Sequence, residues 1–406
     1  MNQVINFCNI YGRTDDIIVV SLDSNTRYNP LDKPNLKPSI LANRLKTILE
    51  LFSPNNSESY WLDKSQEILT ECIKLCRIYN GGYVTFDEIH NLINHENYYK
   101  EKISCLRKLF QSGNLNPEQI FDLYSSLSFF ENEFTNLDQR TKSILKSEIG
   151  RITSTFVSDF HVSKIFCPNK KDINFFGFND VIQKGKIVVL NMNIAQYKNL
   201  SKIIAAYLKL DFQSEILSQL SKKNIIYPTV FMCDEYHEYV TLSDADFFAQ
   251  SRESKCINIV STQSYSSLLN ALGNESSVKV IVQNLVNKLW LRTDDIYTIE
   301  SIQKQIGKED KIKISKNISE SASETNYNYF TNSLNSKKSN LSESISTITH
   351  TDFVYDTNFF TQSLPTFTCL SFISTGFSIL PPCKVQLIPY FKNKENVSSK
   401  HNYKII

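Results

Sequence analysis

The hydrophobic period changes once along this chain, and that change limits what the chain can fold into. Between residues 39 and 165, apolar side chains recur at helical spacing. Ile40, Leu41, Leu45, Ile48, Leu49 and Phe52 form one set. Trp61, Ile68, Leu69, Cys72, Ile73 and Cys76 form a second, and Leu145, Ile149, Ile152 and Phe156 a third. Pro54, Gly81-Gly82, Gly113 and Pro117 cut this stretch into several short helices. Past residue 180, short β-branched runs alternate with helical stretches. Residues 186–192, 228–233, 256–262 and 287–292 read as strands, and 199–220, 243–253, 278–285 and 295–306 as helices. Such alternation argues for a mostly parallel sheet with helices on both faces, and the near-continuous apolar character of the strands suits that burial. One further strand, 17–22, precedes the helical block. It leaves through Tyr28-Asn29-Pro30-Leu31-Asp32-Lys33-Pro34, where proline forbids continued pairing.

The chain has 406 residues, enough for two domains or one large domain with an insertion. Its 41% hydrophobic and 21% charged residues are an ordinary globular balance, and a net charge of +2 argues neither for nor against a polyanionic partner. Nine scattered cysteines show no metal-ligand spacing, so free, mostly buried thiols in a reducing cytosol are expected. No apolar run reaches the length of a membrane span, and the first residues lack the features of a signal peptide. Ser, Thr and Asn make up more than half of residues 315–349, which reads as a flexible segment. Residues 366–373 and 383–390 then return as strands.

Chemistry concentrates at 229–235, Thr-Val-Phe-Met-Cys-Asp-Glu, where a strand ends in two acids. Strand ends at the carboxyl edge of a parallel sheet are where such folds bind ligands. Asp234 there could serve a Mg²⁺ ion and Glu235 an attacking water; an acidic solvated turn is the plainer alternative. The next strand ends in Ser261-Thr262-Gln263-Ser264. The Gln263 amide could sense a γ-phosphate without adding charge, or could simply precede a helix cap. Arg252 ends a helix and could act as an arginine finger on a neighbouring subunit, or merely complement the helix dipole. His237 reads as a hydrogen-bonded surface residue. Lys304, Lys308, Lys311, Lys313 and Lys316 read as a solvated face, with salt-sensitive phosphate contact as the other use. No G-x-x-x-x-G-K-[ST] occurs in the 406 residues.

Taken in order, Asp-Glu-Tyr-His-Glu-Tyr-Val-Thr (234–241), Asp-Ala-Asp-Phe-Phe-Ala-Gln-Ser-Arg-Glu (244–253) and Ser-Thr-Gln-Ser-Tyr-Ser-Ser-Leu (261–268) resemble the TraG/TraD-like coupling proteins of conjugation and type IV secretion. Arg27-Tyr28-Asn29-Pro30-Leu31-Asp32 is similar to the segment by which that family leaves its nucleotide-domain sheet for an inserted all-helical domain. The resemblance covers roughly residues 10–310. It implies an α/β, RecA-like fold with an inserted all-α domain. The expected layout is the start of a truncated nucleotide-binding domain at 1–35, the insert at 36–165, the nucleotide-binding core at 166–314, the flexible segment at 315–349, and C-terminal strands and tail at 350–406.

The resemblance also implies ATP and Mg²⁺ as cofactors, with Asp234 as the metal- and nucleotide-side acid and with Glu235, Gln263 and Arg252 as catalytic residues. Expected partners are further copies or full-length coupling-protein subunits, single-stranded DNA with its relaxosome or a secreted protein, and type IV secretion channel proteins. The expected location is cytoplasmic, at the inner face of the membrane through those partners. The family's membrane anchor and Walker A loop lie upstream of the matching region, and residues 1–13 read as the end of a helix that follows them. Without that loop the phosphates have no cradle, and two acids would repel a triphosphate. Three functions follow: a piece of a coupling motor that needs a phosphate loop in trans, a non-catalytic module that binds a relaxosome or secretion substrate, or an unrelated α/β enzyme using Asp234 and His237.

Overall fold

In the computed structural model the described residues are 2–52, 59–192, 197, 199–221, 228–320, 326–330, 333–335 and 341–389. By contacts the chain divides into two compact units, residues 1–263 with 267–284, and residues 264–266 with 285–406. The strands in chain order are β1 (Ile17–Val20), β2 (Ile187–Leu190), β3 (Thr229–Cys233), β4 (Cys256–Val260), β5 (Lys288–Trp290), β6 (Lys308–Glu320), β7 (Asn326–Asn328), β8 (Ser333–Asn335), β9 (Leu341–Phe353), β10 (Thr368–Phe372) and β11 (Cys383–Gln386).

The first unit holds the all-helical module. Among the described residues seven α-helices run from Pro38–Phe52 to Phe160–Phe166. Their starts follow the local chemistry. Thr85 accepts from the Glu88 amide, Asn116 and Gln119 form a capping box ahead of Pro117, and Asp138 and Asp159 each accept two amides. Most of the residues singled out by helical spacing are buried, among them Leu41, Leu45, Ile68, Cys72, Leu145 and Phe156. Ile40 is 43% exposed, one step off that face. Phe86 and Phe156 stack at 4.0 Å, and Tyr207 packs on both rings edge-on. The Phe52 side chain lies outside the described residues.

Two parallel pairs, β1–β2 and β3–β4, form the α/β part of this unit. The helix Asn199–Ser218 lies against the second pair, where Phe212 stacks on Phe231 of β3. Because side chains alternate along a strand, the other face of β3–β4 carries Val230, Met232, Ile257 and Ile259, which are 54%, 71%, 48% and 47% exposed. Parallel strands normally bury both faces. This pair presents one apolar face to solvent.

The Tyr28–Leu31 turn ties the module to the helix Asn199–Ser218. Tyr28 O–H and Arg44 Nη1 both donate to the fully buried Asp211 carboxylate, Arg44 at 2.7 Å, and Lys33 Nζ lies 3.1 Å away. Gly177 (φ 94) sits over this cluster, where an added Cβ would come within 3.1 Å of Lys33 Nζ.

In the second unit β10 lies between β11 and β5 and pairs antiparallel with both. Trp290, Ile299, Ile302, Phe360, Leu364, Leu370 and Phe372 form its core. The 287–292 strand read from sequence as part of a parallel sheet is thus antiparallel to its neighbour. A second correction concerns 315–349. Rather than forming a loop, β6 and β9 pair antiparallel from Lys308↔Phe353 to Glu320↔Leu341. Composition hid the period-two placement of Ile312, Ile314 and Ile318, which share one exposed face with Ile345 across the ribbon. Residues 321–325, 331–332 and 336–340 of this stretch lie outside the described residues. All nine cysteines are free.

Within the helical module, burial pushes the Glu88 carboxyl up to about 7 from 4.5, while the Asn80 amide opposes this by donating to Oε1 at 2.7 Å. Its Oε2 is buried without a partner. A raised folded pKa gives stability that is complete below the unfolded value and is lost as pH rises through the folded one. The window is therefore 4.5 to about 7. Glu88→Gln removes this titration, so the variant gains melting temperature relative to wild type between about pH 5 and about pH 8. An identical difference at both pH values would refute the assignment.

Candidate active site

Asp234 and Glu235 follow β3 directly, and β4 carries Ser261 to Gln263 to the same edge. The backbone continues the pairing there: Ser261 N donates to Cys233 O at 3.0 Å and Tyr236 N to Ser261 O at 2.8 Å. Ser261 Oγ donates to Asp234 Oδ1, which also accepts from the Glu235 amide at 3.0 Å. Gln263 Nε2 donates to Glu235 Oε2 at 3.2 Å. His237 is mostly buried beneath, its Nδ1 3.5 Å from Glu235 Oε2 and 3.3 Å from Thr262 Oγ1. Asp234 is exposed, and the Glu235 side chain is 46% exposed. Three of the four residues expected from sequence therefore share one edge.

Arg252 does not join them. It is exposed in the turn that leads into β4, and the carbonyl of Lys255 in that turn accepts from the amide of Thr229, the first residue of β3. The length of the strands, about 16 Å at about 3.3 Å per residue, separates it from the acidic pair of the same chain.

Sequence reasoning missed what lies under the acids. Asp244 is fully buried and accepts from Lys209 Nζ at 2.5 Å, Tyr236 O–H at 2.6 Å, the Thr241 amide at 3.0 Å, Thr241 Oγ1 at 2.9 Å and Gln213 Nε2 at 2.9 Å. Burial holds the Lys209 amine below its usual range despite Asp244, and burial with the neighbouring carboxylate pushes the Tyr236 phenol well above its own. A signal existed: Lys209 and Asp211 are isolated charges inside the apolar run 203–212.

The edge offers hard oxygen donors, the Asp234 carboxylate and the Ser261 hydroxyl, which suit Mg²⁺. Among the described residues no three His, Cys, Asp or Glu side chains form a metal nest. A cation at Asp234 would thus share its shell with phosphate oxygens, as Mg²⁺ commonly does. The basic stretch is locally paired. Lys304 meets Glu300, Lys316 meets Glu343, and Lys311 donates to the Phe353 carbonyl. Among the described residues no helix is long and apolar enough to cross a membrane.

Residues 148–386 match the model of the type IV secretion-system coupling protein DNA-binding domain. The chain belongs to that family. No curated protein matches it. Among solved structures it resembles the bacterial conjugative coupling protein TrwBdeltaN70 in an unbound form, at a TM-score of 0.58 and 12% identity over 93% of this chain and 74% of that one. It is also similar to the plasmid coupling protein TrwB with a non-hydrolysable GTP analogue, at a TM-score of 0.59 and 11% identity over 93% and 75%. A third likeness is to TrwB with ADP and Mg²⁺, at a TM-score of 0.57 and 12% identity over 93% and 75%. At such identity the likeness concerns the fold, which is α/β and RecA-like with an all-helical insert.

Proposed function

We propose that this chain supplies the hydrolytic edge of a coupling ATPase that drives DNA or protein transfer, and that its phosphate loop comes from another polypeptide segment. The observation that carries this reading is the open face of β3–β4, formed by Val230, Met232, Ile257 and Ile259, beside an acidic pair already held in place. An apolar sheet face of this kind calls for a covering layer. The 406 residues contain no G-x-x-x-x-G-K-[ST] to cradle phosphates.

In this reading Asp234, with Ser261 behind it, holds Mg²⁺, which when bound offsets charge on the phosphates. Glu235 orients the attacking water, and the neutral Gln263 amide reads the γ-phosphate from the same edge. Arg252, at the far end of the strands, acts only on the nucleotide of a neighbouring copy. DNA is the substrate class that the family's DNA-binding description favours, and in this reading it is single-stranded. Further partners are full-length coupling subunits and secretion-channel proteins at the inner face of the membrane.

The test is reconstitution. The purified chain turns over MgATP at background rate, and a polypeptide carrying the family's phosphate loop restores turnover on mixing. Robust turnover by the chain alone would contradict the proposal. So would a stable complex without turnover, which would instead favour a non-catalytic module that binds substrate through residues 36–165.

A further inference from the structure

Glu235 has an unusual backbone. Its φ of 48° and ψ of 45° put a residue with a side chain in the left-handed region. That region carries a steric cost for any residue but glycine and is kept only where surroundings enforce it. The next residue supplies the enforcement. Tyr236 is fully buried, its amide is fixed to Ser261 O at 2.8 Å, and its hydroxyl is fixed to Asp244 at 2.6 Å. Asp244 is in turn held by Lys209 and Gln213, one helical turn apart on the helix Asn199–Ser218. The Lys209 ammonium also lies 5.9 Å above the Tyr236 ring.

We infer that Tyr236, Asp244 and Lys209 are positioning residues: a buried clamp that holds Glu235 in its left-handed conformation and so aims its carboxylate at Gln263. None of the three reaches the exposed edge. The charge pair satisfies both ions in the interior, where a single unpaired ion would be expelled. Without the clamp, residue 235 relaxes to an ordinary backbone conformation and carries its carboxylate away from the Gln263 amide. The clamp's value for hydrolysis rests on the function proposed above, whereas its geometry can be tested without nucleotide.

The experiment reads the backbone of residue 235 in the full chain by NMR, from its amide–Hα couplings and its Cα shift. Wild type shows the left-handed signature. Tyr236→Phe keeps the buried ring, removes the bond to Asp244, and moves more than half of the molecules out of that conformation. Thr241→Val, which removes one donor to Asp244 without touching Tyr236, moves them in the same direction and serves should Tyr236→Phe not fold. Adding Glu235→Gly to either variant restores the signature, because glycine occupies the region at no steric cost. Retention of the left-handed signature in both single variants would overturn the inference. Its loss in the glycine double variants would do so too, since the clamp would then be holding the turn as a whole. Absence of turnover in the reconstituted mixture, with these NMR results intact, would count against the proposed function alone.

Discussion

Replacing Asp211 with alanine lowers the stability of the helical module by about 3–5 kcal/mol, the usual cost of leaving a buried ion without its partner. The carboxylate is fully buried and serves three groups at once: Arg44 at 2.7 Å, Lys33 at 3.1 Å and the Tyr28 hydroxyl. Alanine strands the Arg44 guanidinium, whose side chain is only 7% exposed, while Lys33 keeps Glu215 at 3.2 Å. Asp211→Asn keeps the volume and loses the charge, so it falls between alanine and wild type. The contrast is the Lys100–Glu96 pair, whose side chains are 66% and 77% exposed. Losing it leaves the unfolding midpoint essentially where it is, because solvent screens so exposed a pair. Trp61 reports on this module and Trp290 on the second unit. Urea unfolding of a Trp290→Phe background, followed by the remaining fluorescence, therefore reads the relevant transition. A shift below about 1 kcal/mol for Asp211→Ala would mean that the cluster is solvated in solution.

The same helix explains why this cluster bears on the active edge. Lys209 and Gln213 are four residues apart and face Asp244; Asp211 and Glu215 are four apart on the opposite side and face Arg44 and Lys33. One buried helix thus carries two polar stripes, one under the acidic pair and one against the module that follows the Tyr28–Leu31 turn. Its burial on all sides removes the amphipathic pattern by which a surface helix is recognised.

That contrast separates what the sequence disclosed from what it withheld. β3, the two acids and Gln263 were legible because parallel strands end at one edge, so two apolar runs that each end in polar residues predict a shared site. The helical module was legible because its apolar spacing persists over many turns. The clamp was not, since nothing in a string of residues pairs Lys209 with Asp244 across 35 positions. The left-handed turn at Glu235 was equally hidden, because glycine, its usual marker, is missing there. The β6–β9 ribbon was lost to composition: abundant Ser, Thr and Asn outweighed the alternation of Ile312, Ile314 and Ile318. Arg252 lies past the helix Asp244–Gln250 rather than on its end, and helix polarity alone does not say at which end of the strands that turn lies.

In the reconstituted assembly, Glu235→Gln lowers kcat by about 10²–10⁴-fold, the range that a positioned acid–base group contributes, and leaves KM within about threefold. The split follows from the geometry. Glu235 touches Gln263 and faces the edge, while in the function proposed above nucleotide affinity would rest with the phosphate loop and with a metal at Asp234. Glutamine keeps the size and the contact to Gln263 but cannot accept a proton from water. Asp234→Asn behaves differently: it raises the Mg²⁺ concentration needed for half-maximal rate, because the lost charge belongs to the metal's shell. Arg252→Ala separates the two kinds of residue. Its turnover recovers when mixed with Glu235→Gln subunits, since each defect then falls in a different copy at some of the shared sites. Steady-state kinetics over a Mg²⁺ series, with and without mixing, reads all three. Equal kcat for Glu235→Gln and wild type would remove Glu235 from the reaction, and failure of the mixture to recover would place Arg252 outside any shared site.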